Sequence, residues 1–180
     1  QAAASGTIER FELWFKSQQQ ASAIWHKLRN SHEFVDHKVA RLLDIAAGIG
    51  RVEIKTQELF IPQMLNMQAI GGISFNKGCY TGQEIIARMK FLGKQKKKMY
   101  RLNSPEQEVS SPGHKIYDDQ GHKCGTIVRS HWSKERGSVT LAIVNITFAE
   151  SKQKAHLNET NGTPFDISEI DYNFLPETSN

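Results

Sequence analysis

The sequence predicts an α+β fold, with helices in its first half and a small antiparallel β-barrel or sandwich in its second. Three observations carry that expectation. Apolar residues recur at helical spacing from Ala21 to Leu28 and again from Val35 to Ala46. After Gly93 the pattern changes to short alternating runs broken by turn residues. The change falls at residues 92–98, which divides the chain into an expected first part, 1–92, and a second, 93–180.

Taken in order, Thr7–Phe15 (TIERFELWF) is apolar and β-prone enough for a strand. Ala21, Ile24, Trp25 and Leu28 then occupy one face of a first helix, which that spacing would bury. A second helix is expected from Phe34 to Ala47, with Val35, Val39, Leu42, Leu43 and Ala46 inward and Gly48 as its C-cap. Residues 49–78 show no long helical periodicity. A third helix is expected from Thr81, because Thr81-Gly82-Gln83-Glu84 fits a capping box in which hydroxyl and carboxylate satisfy end amides reciprocally. Ile85, Ile86 and Met89 would supply its buried face. Strands are expected at Met99–Leu102, Lys115–Tyr117, Thr126–Trp132, Ser138–Ile146 and Phe165–Ile170. Asp118–Gly121 and Lys134–Gly137 read as turns between them.

The composition of the 180 residues, 38% hydrophobic and 23% charged, is that of an ordinary globular protein. No apolar run approaches the roughly 18 residues of a membrane span, so no membrane contact is expected. The opening QAAASGTIE has no secretory or transit pattern, and a cytoplasmic location follows as the expectation. Two cysteines, Cys79 and Cys124, form no CxxC pair and no disulfide framework. They cannot by themselves supply four ligands to zinc or an iron–sulfur cluster, and no permanently bound metal is expected. The net charge of +4 is unevenly spread. Seven Lys or Arg and no acid lie from Arg88 to Arg101, whereas the tail from Glu159 carries five acids and no Lys or Arg. That basic stretch suits RNA phosphates or the carboxylates of a polyglutamate chain, or else a solvated segment whose lysines protect an edge strand.

"KGCYTGQE", Lys77 to Glu84, places one of the two cysteines between a lysine and two glycines ahead of the third helix. Helix-end amides and the Lys77 ammonium would both favour thiolate over thiol at Cys79. The same residues also describe a small buried hydrophobe at a turn, and the local sequence leaves both readings open. Cys124, in HKCGTIV, opens an apolar strand and is expected to pack. None of the seven histidines lies in a local signature of a Cys–His hydrolase.

FIPQ (Phe60–Gln63), LNMQAIGGISFNKGCYTGQE (Leu65–Glu84) and ARM (Ala87–Met89) closely resemble the signature of the YgfZ proteins. These are folate-binding, tRNA-modification-linked relatives of the glycine-cleavage T protein. The resemblance covers the C-terminal portion of such proteins. It implies the C-terminal part of a T-protein-like folate-binding domain over 1–92, followed by a β-barrel over 93–180. It implies a role in maintaining or assembling iron–sulfur enzymes, including those that methylthiolate tRNA, with such enzymes or cluster-assembly proteins as partners. Cys79 is then the functional residue, with Lys77 beside it. Gly78, Tyr80, Thr81, Gly82, Gln83, Glu84 and Arg88 would contact tetrahydrofolate, the implied cofactor. Two positions depart from the family pattern: Ala40 stands where a Trp is frequent, and Ala46 replaces the acid of an IEAG stretch. A stacking face and an acceptor for the pterin's donors are therefore not supplied from these positions. A folate-dependent aminomethyl transferase like the T protein is the alternative reading, and an RNA-binding module resting on Arg88–Arg101 is a third.

Overall fold

The structure is a computed structural model that describes residues 2–3, 10–75, 77–91, 93–106, 110–134 and 137–172, the first two by their backbone. The first half is helical and turn-rich. Ala2–Ala3 (β1) pairs antiparallel with Arg10–Phe11 (β2), which lies within the expected Thr7–Phe15 strand; residues 12–15 are irregular, and 7–9 lie outside the described residues. Gln18–Arg29 (α1) is capped by the Ser17 hydroxyl, which accepts from the Gln20 amide. The expected buried face is not buried. Trp25 is 54% exposed and packs tilted against Phe34, ring centroids 4.4 Å apart, while Ile24 and Leu28 are only half-covered.

His37–Ala46 (α2) starts three residues later than expected because Asp36 caps it, its carboxylate accepting from the Lys38 amide. Val35 and Val39, expected inward, are exposed. Ile45 and Asp44 face the rest of the molecule instead. Gly48 follows with φ +70°, where a Cβ would lie 2.3 Å from Ile170, so both the left-handed turn and the close packing require glycine. Residues 49–75, 77 and 78 form no long helix, as expected, and contain one 3₁₀ turn at Ile54–Thr56. The third helix, Gln83–Phe91 (α3), begins two residues after Thr81. Gly82 takes φ +85°, and the Glu84 carboxylate lies 3.8 Å from Arg88, one turn on. The Thr81–Glu84 capping box is therefore absent among the described hydrogen bonds. Ile85, expected inward, is 61% exposed; Ile86 and Met89 are half-buried.

The second half is a closed antiparallel barrel. Its strands are Lys97–Ser104 (β3), Lys115–Tyr117 (β4), Lys123–Ser133 (β5), Gly137–Asn145 (β6), Ala155–Leu157 (β7) and Pro164–Ser168 (β8), in the order β3-β6-β5-β4-β7-β8. A short helix, Ile146–Glu150 (α4), links β6 to β7. Arg101 opposite Ser168 closes the ring, so the barrel, among the described residues, has no open strand edge. The Asp118 carboxylate makes the β4–β5 turn by accepting the Gln120 and His122 amides at 2.9 and 2.8 Å.

Alternation sorts each strand between two cores. Tyr100, Leu102, Cys124, Ile127, Ala142, Val144 and Phe165 point into the barrel. Met99, Val128, Val139, Leu141 and Ile143 point outward, yet are buried against Ile45, Leu65 and Ile170. Both faces of β6 are thus covered, which is why its sequence, SVTLAIVN, reads as a continuous apolar run. A bulge at Val128 shifts the β5 register, so that Arg129 joins Val128 on the outer face.

Candidate functional site

Arg129 is turned by that bulge into the seam between the barrel and the first half. Its Nη1 donates to Asp44 Oδ2 at 3.2 Å, and its Nε lies 3.6 Å from Glu53. Arg10 and Arg51 meet the same Asp44 carboxylate at 2.9 and 3.1 Å, and Arg41 meets Glu53 at 3.5 Å. Four guanidinium groups thus share two carboxylates, and Arg51 is held at the edge of a cavity.

That cavity, about 410 Å³, is where the sequence motifs meet. Phe60 and Pro62 of FIPQ form one wall; Gly72, Ile73 and Ser74 form another; Lys77 and Tyr80 of KGCYTGQE, with Ile86 of α3, complete it. Gln63 holds the walls together: its side-chain amide donates to the Ile86 carbonyl at 2.8 Å, and its main-chain carbonyl accepts from the Gln95 side chain at 2.9 Å. Asn66 fixes the intervening turns. It adopts φ +54° and donates to the Met99 carbonyl at 3.0 Å and to the Tyr172 hydroxyl at 3.2 Å. The Tyr172 hydroxyl in turn donates to the Gly48 carbonyl. Sequence reasoning missed Asn66, Gln63 and Arg51 as positioning residues. The signal at Asn66 was a polar residue tolerant of left-handed backbone inside an apolar run.

The predicted site residues divide in two. Lys77 and Tyr80 line the cavity, and the Lys77 ammonium rests 4.5 Å over the Tyr80 ring. Cys79, between them, is exposed, so its sulfur is open to a reagent or partner rather than packed away. A Cβ at Gly78 would meet nothing within 4 Å, which leaves open space beside the cysteine backbone. Gly78, Thr81 and Gly82 are exposed, Gln83 is half-buried, and Glu84 pairs with Arg88 on the outer face of α3. None of these five, nor Arg88, lines the cavity. Ala40 and Ala46 are also outside it; the Ala46 carbonyl instead accepts from Arg101.

Cys124 sits in the barrel interior, where burial, and then the Asp118 charge, push its thiol up to about 12. The basic stretch does not form one surface. Arg88 is paired, Lys90 lies 3.7 Å over the Phe75 ring, Lys98 bonds Glu169 at 2.8 Å, and Arg101 is turned inward. Lys94, Lys96 and Lys97 remain exposed. Among the described residues no helix is long and apolar enough to cross a membrane, and no cluster of His, Cys, Asp or Glu is arranged to hold a metal ion.

Barrel, helices and loop together are the fold of the glycine-cleavage T protein. A solved aminomethyltransferase T from the glycine cleavage system of Bartonella henselae superposes with a TM-score of 0.62 over 85% of this chain and 43% of its own, at 16% identity. In sequence, the chain is similar to proteins named tRNA-modifying protein YgfZ. That of Blochmanniella pennsylvanica is 43% identical over 99 residues, and that of Yersinia pestis strain Pestoides F is 42% identical over 105. These matches cover 55% and 58% of this chain but only 30% and 32% of those proteins. The chain thus spans about a third of the length of the curated relatives it matches. No family model matches. The resemblance to the YgfZ proteins that the cysteine loop carries is shown.

Proposed function

We propose that the chain is the cysteine-bearing portion of a YgfZ-like accessory protein that supports iron–sulfur enzymes, those that methylthiolate tRNA included, through the thiol of Cys79. The observation that carries this reading is the exposed sulfur on a loop whose two neighbouring side chains, Lys77 and Tyr80, form the wall of the 410 Å³ cavity. One cysteine cannot hold a cluster, which takes four ligands; its thiolate can make a single transient bond to iron while a partner supplies the remaining ligands. Arg51 and Lys77 give that mouth a positive field, which favours an anionic cargo.

A folate matches the cavity in part. Tyr80 offers a ring face, and Lys77 and Arg51 offer cations to the glutamate carboxylates. Among the described residues the wall holds no acid for the amino-pyrimidine edge of a pterin, and Ala46 does not reach it. The residues therefore do not fit a whole folate. Calorimetry with tetrahydrofolate is the direct measure: submillimolar binding would reinstate the aminomethyl-transferase reading.

The test is Cys79→Ala, introduced into the protein in cells that depend on it. Methylthiolated tRNA should fall to the level of cells lacking the protein. Because the side chain is exposed, stability should change by no more than about 0.5 kcal/mol. Undiminished methylthiolation in that variant refutes the proposal.

A further inference from the structure

A second cavity lies on the outer face of the barrel, at one end, and three lysines converge on it. Lys97 opens β3, Lys115 opens β4 and Lys123 opens β5. Strand alternation turns all three the same way. Ile116 and Cys124 point into the barrel, so Lys115 and Lys123 point out; Lys97 shares a face with outward Met99. Phe60 and Met64 from the loop cover the space between them, leaving about 140 Å³ with Thr126 in the wall.

What distinguishes this place is its charge. At the arginine cluster and in two surface pairs carboxylates answer the cations: Asp44 and Glu53 take four arginines, Glu169 takes Lys98, and Glu84 takes Arg88. Here the lining contains no carboxylate, and none of the three lysines has an ion pair among the described residues. Like charges brought together across neighbouring strands are destabilising. Burial, and then the neighbouring Lys115 charge, hold Lys123 below the ordinary lysine range. Such an arrangement is relieved by a bound anion.

We propose that this cavity is an oxyanion site that takes one phosphate group, held by the ammonium groups of Lys97, Lys115 and Lys123. Phosphate suits it better than carboxylate. A phosphate brings more negative charge than a carboxylate and several strong acceptor oxygens that three point-charge ammoniums can share. The space of about 140 Å³ is large enough for the group. The phosphate's source is either a small phosphorylated molecule or the backbone of RNA.

The experiment titrates the whole chain with inorganic phosphate, followed by ³¹P line broadening at constant ionic strength, and in parallel with a single-stranded RNA oligonucleotide. Saturable binding of either, weakened at least tenfold in Lys115→Gln/Lys123→Gln, is the expected result. Phosphate binding alone points to a small ligand. Oligonucleotide binding, with a log K against log salt slope reduced by about 0.7 in the double variant, points to RNA, since losing the contact to one phosphate of a single strand removes about that much. The melting temperature of the double variant should be unchanged or higher, because repulsion is removed. If that variant does not fold, Lys97→Gln, at an exposed strand start, should still weaken binding. Absence of binding, equal binding by wild type and variants, or stronger binding of hexaglutamate than of phosphate overturns the proposal.

Discussion

At the scale of single residues, the two cysteines show how burial decides chemistry. Cys79 and Cys124 both follow a Lys, directly or within two positions, and both adjoin a Gly. Cys79 ends exposed on a loop, while Cys124 faces the barrel interior. Removal from water disfavours the thiolate and raises the Cys124 pKa to about 12, so at neutral pH it is a thiol that no reagent reaches. Alkylation of the folded protein at pH 7.5–8.5 should therefore modify one sulfur per chain, at Cys79, and a second only after denaturation. Mass spectrometry of the labelled peptides reads the result; equal labelling of Cys124 in the folded state would contradict its placement. Local sequence could not separate these cases, because it is the register shift in the β4–β5 pairing, beside Ile116 and Tyr117, that turns Cys124 inward.

Among the elements, β5 shows what a single inserted residue does. Without the bulge at Val128, strict alternation would send Arg129 back into the apolar interior; with it, the guanidinium reaches Asp44 at the end of α2. Asp44 thereby joins α2, the β2 end and the barrel through one buried carboxylate. Its replacement by Ala leaves the buried Arg129 without its 3.2 Å partner, and loss of one member of a buried pair typically costs about 3–5 kcal/mol. Urea unfolding of Asp44→Ala should show that loss. A change below about 1 kcal/mol would mean that solvent screens the cluster. The same scale explains the displaced start of α3. The sequence Thr-Gly-Gln-Glu fits a cap, but Gly82 adopts left-handed backbone and Gln83 opens the helix. A glycine inside a cap pattern allows either geometry, and the packing of the loop decides.

For the whole molecule, the outward faces of β3, β5 and β6 are covered by residues of the first half, with Leu65 reaching Met99 and its neighbours. The loop that bears the cavity and Cys79 is therefore seated on the barrel rather than on α3 alone. Leu65→Ala should cost about 2–5 kcal/mol through lost burial and the void left behind. It should also loosen the loop, so that Cys79 alkylates faster while the barrel strands keep their amide protection. Hydrogen exchange resolves the two effects, and uniform loss of protection across β3–β8 would show instead that the cluster holds up the barrel itself.

From the amino acids alone came the two-part order, the place of four of the six barrel strands to within a few residues, a fifth matched without error at Lys115–Tyr117, and the cysteine loop with its family resemblance. Those depend on interactions between near neighbours: apolar period, turn residues, and a dense run of unusual residue types. Hidden from it were β7, whose three residues AHL pair only because the ring must close, the exposure of α1, and the sharing of Asp44 by three arginines. Hidden too was the meeting of Lys97, Lys115 and Lys123. Each of these joins positions distant along the chain, and only the folded backbone, through register, bulge and closure, sets the distance between them.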